Sequence, residues 1–148
     1  MKSFVRNCTA IALIALSTFT MAAERWGDKS EKVNINLSTA GLALDHYLAV
    51  TTKGESVGVE QLFTDDFNQK IQANSKLTYG RSAVIKSLKN QNGEKLNCKV
   101  NIKIVEKSVD YMIAKIALKF DSFSMTDLVT LVYENGDWKV SRSIHSYQ

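Results

Sequence analysis

In the stretch FSMTDLVTLVYE, one acid falls among apolar residues on a period of two: Asp127 is in phase with Phe123, Met125, Val129 and Leu131. On the buried face of a strand, a carboxyl group surrounded by hydrocarbon is harder to ionise. A carboxyl poised in that way can give or take a proton. The same pattern admits two plainer arrangements, a register or bulge that turns Asp127 to water, or an ion pair with Arg142. His145, in SIHS near the C-terminus, is the second proton-transfer candidate. Strict alternation from Trp138 puts it on the opposite face, with Lys139, Ser141, Ser143 and Tyr147, while Trp138, Val140 and Ile144 share the first. Only a bulge would bring His145 inward. Asp127 and His145 are thus the candidate catalytic residues, for acid or base work without a cofactor.

Tyr47, Tyr79 and Trp138 join Asp127 as candidate ligand-binding residues, since each ring offers apolar area and one hydrogen bond. The competing role for each is ordinary core, and Trp138 in particular suits a packing anchor beneath a hairpin. His46 is a weaker candidate, at a boundary position beside Leu42, Ala49 and Lys53. Two histidines without close spacing, and no HxxxH or CxxC, give metal chemistry no support. No metal and no cofactor is expected. There is also no glycine-rich phosphate loop and no GxSxG nucleophile elbow.

The elements that must position these residues fall into two groups. Leu37, Ala40, Leu44, Tyr47, Leu48 and Thr51 recur at helical spacing, and Gly54 is placed to end that helix. A short helix is expected around VGVEQLF, and a third over RSAVIKSLKN. Between them, TDDFNQKIQANSKLTYG shows no period and reads as an irregular crossing segment. From Lys95 onward the period becomes two. Cys98, Val100, Ile102 and Ile104 predict a half-buried strand, with Cys98 as a small core residue. Met112, Ala114, Ile116, Leu118 and Phe120 predict a second. The strand containing Asp127 carries apolar residues on both faces, with Leu128 and Val132 on the outer one, so both sides need cover. Asn135-Gly136 predicts a type I′ hairpin turn. Lys99, Lys103, Lys115 and Lys119 form a basic stripe on the outer face, which protects exposed sheet from aggregation or attracts an anionic polymer. The expected class is α+β, with N-terminal helices on a curved antiparallel sheet of about four strands.

A chain of 148 residues, 45% hydrophobic and 23% charged, suits one globular domain. Lys2 and Arg6 precede an apolar run from Cys8 to Phe19 and then TMAA, the pattern of a secretory signal peptide cut after Ala22. Roughly a dozen apolar residues are too few to cross a ~30 Å hydrocarbon layer. No membrane span is therefore expected, and residues 23–36 read as a loose lead-in to a domain over 37–148. Removing residues 1–22 takes away two cations and no acid, so the formal charge falls from +4 to +2. That small excess and export leave nucleic acid without support as a partner. Cys98 would remain as a lone cysteine, unable to form an intrachain disulfide.

ALDHYL in the first helix, LFTDDF after the second, YGRSAVIKSL before the third and TDLVTLVYENGDWKVSRSIHS at the end together resemble the nuclear transport factor 2-like superfamily. The likeness is strongest to small secreted members grouped as SnoaL-like or lumazine-binding, and it covers residues 37 to 148. It implies a cone-shaped domain whose sheet and helices enclose a cavity. The group label itself carries no expectation of flavin or lumazine binding. The scaffold hosts isomerases, cyclases, binding proteins and association modules, and no residue-for-residue match to an isomerase acid and base is present. Three functions follow as expectations: binding of a small apolar or aromatic molecule, cofactor-free isomerase or cyclase chemistry by Asp127 or His145, or protein association. A homodimer through the outer sheet face is expected, as is a periplasmic or extracellular location.

Overall fold

A computed structural model describes residues 33–72 and 77–148. The signal segment, with Cys8, and most of the lead-in lie outside the described residues. Helix α1 runs Ala40–Lys53. Its N-terminus is capped by the Thr39 hydroxyl, which accepts the Leu42 N–H at 3.2 Å. It ends at Gly54, whose φ of 69° is left-handed. A Cβ there would also lie 2.5 Å from the Glu94 carbonyl oxygen, so only glycine fits. That close approach binds the end of α1 to the segment entering the meander, with Gly93 N–H donating to Gly54 O at 2.8 Å and Leu96 N–H to Thr52 O at 2.8 Å.

Helix α2 is a single turn, Val59–Leu62, and leads into strands β1 (Phe63–Gln72) and β2 (Leu77–Gly80). Helix α3 spans Arg81–Asn90. Strands β3 (Lys99–Lys107), β4 (Tyr111–Lys119), β5 (Ser124–Glu134) and β6 (Asp137–Tyr147) complete the chain. They form the expected antiparallel meander, joined at its last turn by Asn135 and Gly136 with φ of 54° and 91°. The curved, open sheet has six strands rather than about four, in the order β2-β1-β6-β5-β4-β3, with β1 parallel to β6. The two additional strands come from the segment expected to be irregular. Its alternation is hidden because β1 shifts register against β6 between Phe63 and Asn68, and because its later inward residues include the polar Gln69.

One face of the sheet packs against the helices. Its core contains Leu37, Tyr47, Leu62, Phe63, Ile116, Leu131 and Val140, with the Tyr47 ring edge-on to Phe63 at 6.2 Å. Strand β3 departs from the expected half-burial. Val100, Ile102 and Ile104 do pair opposite the inward residues Leu118, Ile116 and Ala114, yet they are 45%, 42% and 45% exposed. β3 is the edge strand beyond the helices, so alternation reported the side correctly and the burial wrongly. Cys98 is half-buried rather than core. Among the described residues, no helix is long and apolar enough to cross a membrane.

Candidate functional site

The position of the site is decided by one extra residue in β6. Val140 pairs with Leu131 and Arg142 with Thr130, so Ser141 has no opposite number. A bulge of this kind reverses which side chains face inward. Before it, Trp138 and Val140 face the helices; after it, Ser143, His145 and Tyr147 take over. Ile144 therefore does not share a face with Trp138 and Val140, as alternation alone predicts. His145 comes to lie directly across from Asp127 on the neighbouring strand.

Asp127 is 3% exposed and faces inward. It is not turned to water. Arg142 is exposed on the outer side of β6 and makes no ion pair with it among the described residues. The Tyr47 hydroxyl donates to Asp127 Oδ2 at 2.6 Å and the Ser143 hydroxyl to Oδ1 at 2.8 Å. A second contact, from Tyr47 to the Ser143 hydroxyl at 3.2 Å, is longer, and the single phenolic proton belongs to the carboxylate. Burial first, and then the charge of Asp127 beside it, push the Tyr47 hydroxyl well above the ordinary tyrosine value. Tyr47 thus stays a proton donor throughout the neutral range, and helix α1 is pinned to β5 and β6 through it.

His145 Nε2 lies 3.3 Å from Asp127 Oδ2 and 3.2 Å from the Gln69 side-chain nitrogen. A bare Nε2 lone pair would face the carboxylate oxygen and be repelled. The proton therefore belongs on Nε2, and Gln69 presents its carbonyl oxygen to the ring in place of the nitrogen. Both ring contacts to described side chains use Nε2, which leaves Nδ1 without a described side-chain partner.

Asp127 and His145 line one cavity of about 560 Å³ between the sheet, α1 and α3. Its apolar wall includes Val50, Ile71, Val84, Leu88, Leu118 and Met125, and Tyr79 and Tyr147 also line it. Of the sequence candidates, Asp127, His145 and Tyr79 reach this cavity directly, and Tyr47 acts behind it through Asp127. Trp138 is buried beneath the hairpin against Tyr133 and is not part of the wall. His46 is half-buried on α1 outside the wall, where burial lowers its pKa.

Sequence reasoning missed Ser143 and Gln69. The serine was hidden by the Ser141 bulge, and the glutamine by the unrecognised strand β1. Among the described residues, no group of three His, Cys, Asp or Glu side chains is gathered to hold a metal ion.

No protein-family model and no curated protein matches the sequence. Solved structures do match the backbone. A nuclear transport factor 2-like protein of unknown function from Silicibacter pomeroyi superposes with a TM-score of 0.61 at 15% identity, covering 73% of this chain and 92% of its own. One from Shewanella baltica, also of unknown function, gives 0.58 at 18% identity, covering 72% and 88%. A ketosteroid isomerase-like protein from Erwinia carotovora atroseptica gives 0.57 at 18% identity, covering 77% and 97%. With its helices on a curved six-stranded sheet and these structural neighbours, the chain has the nuclear transport factor 2-like fold.

Proposed function

We propose that this chain is an exported domain, of the SnoaL-like kind within its fold, that binds a small apolar or aromatic molecule in the cavity. The molecule's polar group meets Asp127 and His145. The supporting observation is the cavity itself, about 560 Å³, with largely apolar walls and the buried Asp127 beside the half-buried His145. Cavities of roughly 300–1,000 Å³ with a few placed polar groups are the usual size for small-molecule sites. Native mass spectrometry of the protein purified from its own host tests the reading, first under gentle and then under denaturing conditions. A small molecule lost on denaturation, on a chain beginning at Ala23, is the expected result. A chain that retains residues 1–22 contradicts export, and one that neither carries nor takes up any small molecule contradicts binding.

A second reading, proton transfer without a cofactor, is favoured by one observation, the Nδ1 of His145 left without a described protein partner while Nε2 faces a carboxylate. In that reading Asp127 holds the ring's tautomer and His145 takes a proton from the bound molecule. His145→Gln would then abolish exchange of the molecule's acidic hydrogen with deuterium even at saturating ligand. Exchange at the wild-type rate would reject it.

The outer face of the sheet carries a strip of Ile113, Leu128, Val132 and Ile144, all half-buried in the single chain. We propose that a second copy covers it. Val132→Lys then yields monomers in sedimentation, and a dimer unaffected by the lysine contradicts the assignment.

A further inference from the structure

The hydroxyl and ring N–H groups around Asp127 are already committed. Tyr47 and Ser143 give their hydroxyl protons to Asp127, and the Nε2 proton of His145 faces the same carboxylate. Along α1, the hydroxyls of Thr51 and Thr52, which also line the cavity, donate back to the carbonyls of Tyr47 and Leu48 at 2.7 and 2.6 Å. What this region leaves for a ligand is mainly acceptors, the remaining lone pair of Asp127 and Nδ1 of His145, beside the neutral amide N–H of Gln69. A carboxylate has about four acceptor positions and only three of these are taken, so one remains.

The charges in the wall have one sign. Asp127 at the end and the exposed Glu94 nearer solvent both line the cavity, and no lysine or arginine does so among the described residues. Lys53, Lys95 and Lys119 adjoin lining residues in sequence, but all three are exposed and absent from the wall. The remaining polar lining groups, such as Ser87 and Gln91, are neutral and cannot compensate an anion. Tyr79 and Tyr147 add aromatic rings, whose faces attract cations.

From this arrangement we propose that the cavity selects a cationic amine, with its ammonium group toward Asp127 and His145 and an apolar or aromatic body against Leu88, Leu118 and Met125. The inference rests on the small-molecule reading above and adds the ligand's charge. An ammonium brings hydrogens to the free acceptors of Asp127 and His145, and positive charge to a wall whose charged groups, among the described residues, are both acidic. A carboxylate or phosphate ligand meets the reverse of both.

The test is a matched series on one ring, 1-(aminomethyl)naphthalene, 1-naphthalenemethanol and 1-naphthoate, titrated calorimetrically into the full mature chain. The amine is expected to bind at least about tenfold tighter than the alcohol, with the acid weaker still. Asp127→Asn should remove most of that preference. Because that substitution disturbs a buried network, Glu94→Gln at the exposed wall position is measured beside it, with a smaller loss of amine preference expected. Equal affinity for all three probes, or tighter binding of the acid, overturns the charge assignment while leaving the cavity as a binding site. Failure of all three to bind overturns both.

Discussion

Asp127 and Leu128 are adjacent on β5 and meet opposite surroundings. The acid faces inward, buried and held by two hydroxyls, while the leucine faces outward and is half-buried. The contrast extends over the sheet. Inside, acidic and aromatic groups line a cavity without a described lysine or arginine. Outside, Lys99 stands directly across from Lys119 and Lys103 across from Lys115. Like charges placed opposite each other on neighbouring strands are destabilising. The basic stripe is therefore a surface property, and the net positive charge of the chain says nothing about the cavity. In this domain the sign of the charge belongs to a face.

The sharpest way to break the separation is Ser143→Arg. Because Ser141 is the unpaired residue of the bulge, Ser143 pairs with Val129 on the inner face and is fully buried. Placing an arginine there should destabilise the domain by more than ~4 kcal/mol or prevent folding, as read by urea denaturation. A variant with wild-type stability would contradict the inward orientation that the bulge gives Ser143.

The next effect compares neighbours across the sheet. Leu131→Ala, at a fully buried inner position, should cost about 2–5 kcal/mol. Leu128→Ala, half-buried on the outer face, should cost about 1 kcal/mol in the monomer. Equal losses would contradict the assignment of faces.

Tyr47→Phe removes one donor from the buried carboxylate and should cost about 1–3 kcal/mol. Its pH dependence has a definite sign. The folded-state pKa of Tyr47 is raised, so its contribution is fully present below the ordinary tyrosine value of 10.0 and is lost as pH rises from there towards the folded pKa. Wild-type stability should fall more steeply than that of the variant above that value, and parallel alkaline limbs would reject the network. The smallest effect is a gain. Lys103→Glu, opposite Lys115, should stabilise by about 0.2–1 kcal/mol at low salt and less at high salt. A loss of stability would show that the outer stripe has a structural use.

Much of this architecture was legible in the sequence. Helix α1, the Asn135-Gly136 turn, the meander and the inward phase of Asp127 follow from spacing and turn chemistry, which are local. What was not legible depends on pairing between distant segments. β1 and β2 hide in a polar stretch because a strand beside the site can point glutamine inward and still be held by its neighbours. The orientation of His145 depends on a bulge that SRS in the sequence does not announce, since serine and arginine suit either face. The exposure of Val100, Ile102 and Ile104 depends on where the helices stop covering the sheet, which alternation within β3 cannot report.

The central claim, that the inner face binds a molecule at Asp127 and His145 while the outer face does not, is tested most directly by backbone and side-chain NMR during titration with 1-(aminomethyl)naphthalene. The account predicts shifts that concentrate at Gln69, Tyr79, Leu118, Met125, Asp127 and His145, with Lys115, Leu128 and Ile144 unmoved. Shifts that concentrate on the outer residues, with the His145 ring unchanged, would contradict it.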